Sequence, residues 1–328
     1  MKIVVLDGYV LNPGDLSWSN LASLGELIVY DRTKPGEVIE RIADAEIIYT
    51  NKTVINEEII TACPNLKFIG VLATGYNVVD IVAAKKNKIV VTNIPDYGTT
   101  AVAQFTFGLI LELCHRIGLH SDSVKQGKWS NNSDFSYCLT PQTELKDKIL
   151  GIIGFGKIGK AVLKIAQAFG LKVVISTAYP QEQYLNENVK FVTTTELIKI
   201  SDIISLHCPL TTQNEKLINK DRIKEMKDGV MIINTARGGL IDEKALAEGL
   251  TTRKVLGAAL DVVSAEPISS NNPLLKAPNC IITPHIAWAP KEARQRLMDI
   301  AVLNLEKYLE QTPINIVNQV IELFTRLK

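Results

Sequence analysis

Ile149-Leu150-Gly151-Ile152-Ile153-Gly154-Phe155-Gly156-Lys157-Ile158-Gly159 is the stretch that decides the fold. Its apolar run does not alternate, which predicts a strand buried on both faces of a sheet. Glycines 154, 156 and 159 have G-x-G-x-x-G spacing, and Ala161, Val162, Ile165, Ala166, Ala168 and Phe169 then recur at helical spacing up to Gly170. Strand, glycine turn and helix in that order are the context a dinucleotide-binding turn requires. The three glycines would serve a tight turn, close backbone approach to a pyrophosphate, and close helix–strand packing. The diphosphate would sit on the helix N-terminus, where free N–H groups and the helix dipole favour an anion. By itself the motif also fits a plain βα connection or the turn of an adenosyl-binding methyltransferase.

Downstream, strands are expected at Lys172–Ser176, Val189–Val192, Ile203–His207, Val230–Asn234, Val255–Leu260 and Cys280–Thr283. Helices fit at Thr194–Ile200, Lys220–Glu225 and Asp242–Gly249, giving a parallel sheet of Rossmann type. Upstream, strands at Ile3–Leu6, Leu27–Tyr30, Glu46–Thr50, Phe68–Leu72 and Ile89–Thr92 alternate with helices near Ser17–Leu24, Gly36–Ala43, Asn56–Ala62 and Val78–Asn87. One long helix is predicted over Thr100–Ile117, then a polar loop, Val124–Pro141, and after Pro290 a helix at Glu292–Glu310 that returns to the first domain. The fold class is therefore α/β, with two Rossmann-like or flavodoxin-like domains and a cleft between them. The first is discontinuous, residues 1–98 plus 289–328; the second, residues 99–288, is the dinucleotide domain.

The 328 residues carry a net charge of +1 with no basic stripe, which argues against nucleic acid or an anionic membrane surface as partner. No apolar run approaches the roughly 20 residues of a membrane span, and Met1–Gly8 reads as a first strand rather than a signal peptide. The five cysteines are scattered without C-x-x-C, and the four histidines lack paired spacing. That pattern points to reduced thiols in a cytoplasmic protein and to no metal site.

Three residues that can do chemistry sit at or just beyond strand ends, where open α/β sheets bind ligands. Arg237 lies in Asn234-Thr235-Ala236-Arg237-Gly238-Gly239, Glu266 in Leu260–Pro267, and His285 in Ile282–Trp288. Arginine offers a planar fork to a carboxylate. Histidine gives a proton to a carbonyl oxygen, and a neighbouring glutamate stabilises its charged form. Beside a nicotinamide, such a set reduces a 2-oxo acid to a 2-hydroxy acid. Taken singly, Arg237 and Glu266 also fit a surface ion pair, and His285 a satisfied core or loop histidine. In the first domain, Val71–Asn77 leaves a strand end with small residues, fitting either an anion-binding turn or an ordinary βα connection.

Leu150–Gly159, Leu206–Thr211, Ile233–Gly239, Ala259–Pro267 and Thr283–His285, in that order, resemble the D-isomer-specific 2-hydroxyacid dehydrogenase family over essentially the whole chain. Asn93–Thr99 and Asp134–Pro141 look most like its branch acting on hydroxypyruvate and glycerate. The resemblance implies that Arg237 binds the substrate carboxylate, Glu266 pairs with the histidine, and His285 is the general acid/base. It implies a second hold on the carboxylate from the backbone at Thr74 and Gly75, and a pyrophosphate turn of Phe155, Gly156, Lys157 and Ile158 between Gly154 and Gly159. It further implies an adenosine wall at Cys208 and Pro209, and a nicotinamide carboxamide held at Ala236 and Asp261. Lys52 either lines the cleft or is solvated. A homodimer through the nucleotide domains is implied as well. The alternatives on this scaffold are an NAD(H)-sensing binding protein or co-repressor, and a dehydrogenase of another small acid.

At the end of the second strand, Ser176 or Thr177 stands where the family usually has aspartate. An acidic residue there binds the ribose 2′-OH and selects NAD. With no carboxylate to repel a 2′-phosphate and no following Arg or Lys to attract one, the expected cofactor is NAD, with NADP possible.

Overall fold

The computed structural model describes residues 1–318; positions 319–328, the end of the expected second segment of the first domain, lie outside the described residues. The described residues divide into two compact units, one of Met1–Gly98 with residues 289–318, the other of Thr99–Trp288.

In the first unit, β1 (Lys2–Val5), β2 (Glu26–Val29), β3 (Ile47–Thr50), β4 (Phe68–Val71) and β5 (Val90–Thr92) form one all-parallel sheet in the order β2-β1-β3-β4-β5. That is the flavodoxin-like order, with its switch point between β1 and β3. Asp7, just after β1, bridges this point: its carboxylate accepts the N–H groups of Asn51, Lys52 and Thr53 beyond β3, at 2.7, 2.6 and 2.8 Å. Helices α1 (Ser19–Ala22), α2 (Val38–Ile42), α3 (Glu57–Ala62) and α4 (Ile81–Lys86) connect the strands. Asn56 caps α3 and Asp80 caps α4 through side-chain oxygens. A 3₁₀ turn at Pro35–Glu37 leads into α2, which shortens the helix expected from Gly36.

In the second unit, α5 (Thr99–His115) and α6 (Ile117–Lys125) precede β6 (Ile149–Ile153), α7 (Lys157–Ala168), β7 (Lys172–Ser176) and β8 (Val189–Phe191). Then follow α8 (Thr194–Ile200), β9 (Ile203–Leu206), α9 (Lys220–Glu225), β10 (Val230–Asn234), α10 (Glu243–Thr251), β11 (Val255–Leu260) and β12 (Cys280–Ile282). The seven parallel strands are ordered β12-β11-β10-β9-β6-β7-β8, the Rossmann 3-2-1-4-5-6 order extended by one strand. Successive residues serve opposite faces: Ile152, Ile175 and Ile233 pack with α5 and α7, Ile153, Val174 and Ile232 with the helices of the other face. Gly170, at φ +70°, ends α7 as its Leu171 N–H turns back to Ala166 O.

The single helix expected over Thr100–Ile117 is a bent pair. Arg116 takes a left-handed conformation (φ +48°), and α5 and α6 meet at 54°. Ile117 and Leu119 beyond the break are exposed, so the apolar spacing ran on without marking it. No single helix among the described residues is long and apolar enough to cross a membrane, although this bent pair passes on length and composition. Ala103, Phe107, Leu109, Ile110, Leu113 and Cys114 of α5 belong to the sheet core. The last helix, α11 (Lys291–Leu309), returns to the first unit, where buried Tyr49 donates to Ala301 O at 2.9 Å. Arg294 of α11 forks onto Asp15 with two 2.7 Å bonds.

Candidate active site

The glycine turn after β6 meets the end of β9 at the point where the strand order of the second unit reverses. Gly154 has φ +95°, and a Cβ there would lie 2.6 Å from the backbone of His207 and Cys208. Gly159 is closed as well, since its Cβ would lie 2.4 Å from Gly154 O. Gly156 differs: a Cβ there would meet nothing within 4 Å, and as N-cap of α7 it offers no side chain to the first-turn N–H groups. Open space at a helix N-terminus that no N-cap side chain covers fits a dinucleotide diphosphate. Phe155 turns its ring into the core against Tyr184 and Phe191, leaving its backbone to the turn; Lys157 is exposed and Ile158 partly buried.

These contrasts separate the glycines experimentally. Gly154→Ala forces a left-handed alanine into backbone, costing about 1–3 kcal/mol in conformation alone, and is expected to lower Tm together with NADH affinity. Gly156→Ala is expected to keep the wild-type Tm while weakening NADH about tenfold or more, because its methyl group enters only the open space. Thermal unfolding and NADH titration of both variants check this.

At the end of β7, Ser176 is 8% exposed and its hydroxyl is 2.7 Å from that of Thr194, while Gly154 N–H donates to its carbonyl. Thr177 beyond it is half-buried. Beside the turn, Cys208 is half-buried and Pro209 exposed; Asn214 donates to Pro209 O at 2.7 Å. His207, not foreseen as a site residue, is 2.8 Å from Ser205 Oγ through Nε2, and burial pushes its pKa down to about 4. It therefore adds no positive charge to the turn at neutral pH.

Arg237, Glu266 and His285 follow β10, β11 and β12, three neighbouring strands, at the carboxyl edge of the same sheet. Arg237 is exposed and its Nη1 donates to Ala236 O at 2.7 Å. Buried Asn234, also unforeseen, straddles this turn: it accepts from Ala236 N–H and donates to Arg237 O, both at 2.9 Å. Its place just ahead of Thr235-Ala236-Arg237 is the sequence cue, since Asn side chains bond backbone two residues on. His285 Nδ1 lies 2.6 Å from Glu266 Oε2, and Glu266 Oε1 accepts from Val263 N–H at 3.2 Å. His285 is itself left-handed, φ +56°, a conformation that costs a non-glycine residue about 1–2 kcal/mol.

Asp261 is 1% exposed, and its carboxylate accepts from Thr283 Oγ1 and from the N–H groups of Ile286 and Ala287. Burial raises its pKa, and these three donors oppose the rise. In the first unit, Thr74 donates its hydroxyl to Ile94 O and its carbonyl accepts from Asn93, with Gly75 next to it at the end of β4. Lys52 is exposed on the neighbouring strand end, beyond β3.

A glycine turn at a sheet's switch point, with a histidine–carboxylate pair and an arginine on neighbouring strand ends, is an arrangement that suits dehydrogenase chemistry. Residues 107–287 match the family model described as D-isomer specific 2-hydroxyacid dehydrogenase, NAD binding domain. The chain is 56% identical to a hydroxypyruvate reductase of Blautia hydrogenotrophica over 97% of its own length and 100% of that protein. It is 40% identical to a glycerate dehydrogenase of Methylorubrum extorquens, covering 86% of this chain and 88% of that one. A solved acyclic imino acid reductase (Bsp5), in complex with NADPH and D-Arg, shares the fold with a TM-score of 0.81 and 33% identity, covering 97% and 100% of the two chains. The chain belongs to the D-isomer specific 2-hydroxyacid dehydrogenase family. It is an oxidoreductase that couples NAD(P) to reduction of a 2-oxo acid.

Proposed function

We propose that the substrate is hydroxypyruvate, reduced to D-glycerate, with glyoxylate reduced to glycolate as the second activity. The observation that carries the reduction of a 2-oxo group is the 2.6 Å pair of His285 Nδ1 and Glu266. With Nδ1 engaged, Nε2 is the nitrogen left to face a carbonyl oxygen. Arg237 grips the substrate carboxylate bidentately. Bound reduced nicotinamide supplies the hydride. His285 delivers the proton to the carbonyl oxygen from Nε2, while Glu266 fixes the ring's tautomer and offsets its charge. The names of the two relatives support the choice of acid. NADH oxidation against hydroxypyruvate, glyoxylate, pyruvate and bulkier 2-oxo acids tests it, with chiral assay of the product. We expect kcat/KM to be highest for hydroxypyruvate and the glycerate to be the D isomer. A bulkier acid favoured tenfold would overturn the assignment.

In this reading the unit Thr99–Trp288 holds the cofactor. Gly154 to Gly159 would hold the diphosphate, Ser176 and Thr177 the ribose, Cys208 and Pro209 the adenosine, and Ala236 the carboxamide. Ser176 spends its hydroxyl on Thr194, and no carboxylate stands at this strand end to repel a 2′-phosphate. NADPH in the imino acid reductase supports tolerance of both cofactors. The expected ratio of kcat/KM between NADH and NADPH is below a thousandfold, about 4 kcal/mol in either direction. A larger preference for one cofactor would refute relaxed discrimination.

The five free cysteines support a reducing, cytoplasmic setting. Homodimerisation through the nucleotide unit is supported by exposed Ile117, Leu119, Trp129 and Phe135, the last 91% exposed. Light scattering is expected to give two copies for the wild type and one for Phe135→Asp.

A further inference from the structure

We propose that Asp261 is the positioning residue for His285, its carboxylate holding the 283–287 loop so that the histidine keeps its left-handed backbone. The inference rests on His285 being the acid/base of the proposed function. A left-handed histidine persists only where its surroundings over-determine it. Here the three bonds to Asp261 straddle the residue. Thr283 Oγ1 donates to Oδ1 at 2.6 Å on one side; on the other, Ile286 N–H donates to Oδ1 at 2.9 Å and Ala287 N–H to Oδ2 at 2.8 Å. His285 N–H closes the loop onto Thr283 O at 2.9 Å, and Thr283 N–H donates to Leu260 O.

Asp261 is in turn fixed from the strand beside it. Its N–H donates to Asn234 O at 2.9 Å, and the Asn234 side chain braces the Arg237 turn. A continuous hydrogen-bonded path therefore runs from the arginine turn through Asn234 and Asp261 to the histidine loop. Two of its members, Asn234 and Asp261, are essentially without exposure. The family resemblance assigns Asp261 to the nicotinamide carboxamide. In this structure three donors of the 283–287 loop already fill most of the acceptor positions of its carboxylate, and the residue is 1% exposed.

The two roles separate in one experiment, using the full chain and the 2-oxo acid that turns over fastest. Asp261→Asn replaces an acceptor of backbone N–H groups by an amide that must oppose one of them with its own N–H₂. It is expected to lower kcat at least a hundredfold and to leave the NADH dissociation constant, measured by fluorescence without substrate, within threefold. Should Asp261→Asn not fold, Thr283→Val carries the test. That variant is expected to lose about tenfold in kcat, with Thr283→Ser restoring turnover to within threefold of wild type. A Tm effect alone would not distinguish valine from serine in kcat at a temperature where both are folded. The inference is overturned if Asp261→Asn weakens NADH more than tenfold with kcat retained, or if Thr283→Val turns over like wild type. His285→Gln in the same series separates the failures. Normal turnover there removes the acid/base reading itself; lost turnover there with unaffected Asp261 and Thr283 variants removes only this inference.

Discussion

His285→Gln is expected to lower kcat for 2-oxo acid reduction by about three orders of magnitude while leaving NADH affinity within a few-fold. General acid–base catalysis by a positioned side chain contributes roughly 10²- to 10⁴-fold, and glutamine removes that without removing the volume. Its amide can still donate to Glu266, so the loop geometry has a partner in the variant. What it cannot do is deliver a proton. NADH affinity is expected to hold because the glycine turn proposed to hold the diphosphate belongs to other elements, β6 and α7, with Gly154 and Gly159 set close against neighbouring backbone. The measurement is steady-state kcat beside a fluorescence titration of NADH. Near-normal turnover in the variant would end the acid/base assignment.

Much of the sheet was legible in the sequence because its information is local. Buried parallel strands read as apolar runs, and Lys172–Ser176, Val230–Asn234 and Val255–Leu260 stand with the bounds expected. The glycine turn was legible for the same reason: spacing within six residues, between a strand and a helix. What escaped is what neighbours far apart in sequence decide. Nothing around Arg116 announces a left-handed break, since the apolar spacing continues into Ile117 and Leu119 and burial alone tells the two helices apart. The commitment of Ser176 to Thr194 was invisible, as it joins residues 18 apart. Strand-end positions single out Glu266 and His285, but that these two side chains pair across 19 residues is implied by the family resemblance and not by spacing. Asn234 reads from sequence as the last residue of a buried strand, whereas its side chain sets the shape of the turn that follows.

Arg237→Ala is the complementary expectation: kcat/KM for the 2-oxo acid falls about a thousandfold, mostly through KM, with NADH affinity and Tm close to wild type. Two charge-assisted hydrogen bonds to a carboxylate contribute about 1.5–3 kcal/mol each. Losing both therefore removes about 4 kcal/mol, or three decades in binding. Stability is spared because the guanidinium is exposed and its Nη1 bond runs to the carbonyl of the residue before it, while Asn234 braces the turn through backbone atoms that alanine retains. Arg237→Lys sharpens the argument. A lysine restores the charge as a point and not as a planar fork, so it should recover a minor part of the loss. Full recovery by lysine would mean that charge, and not bidentate geometry, holds the acid. An alanine variant with an unchanged KM would mean that the carboxylate is gripped elsewhere, and the strand-end trio would then lose its substrate-binding member.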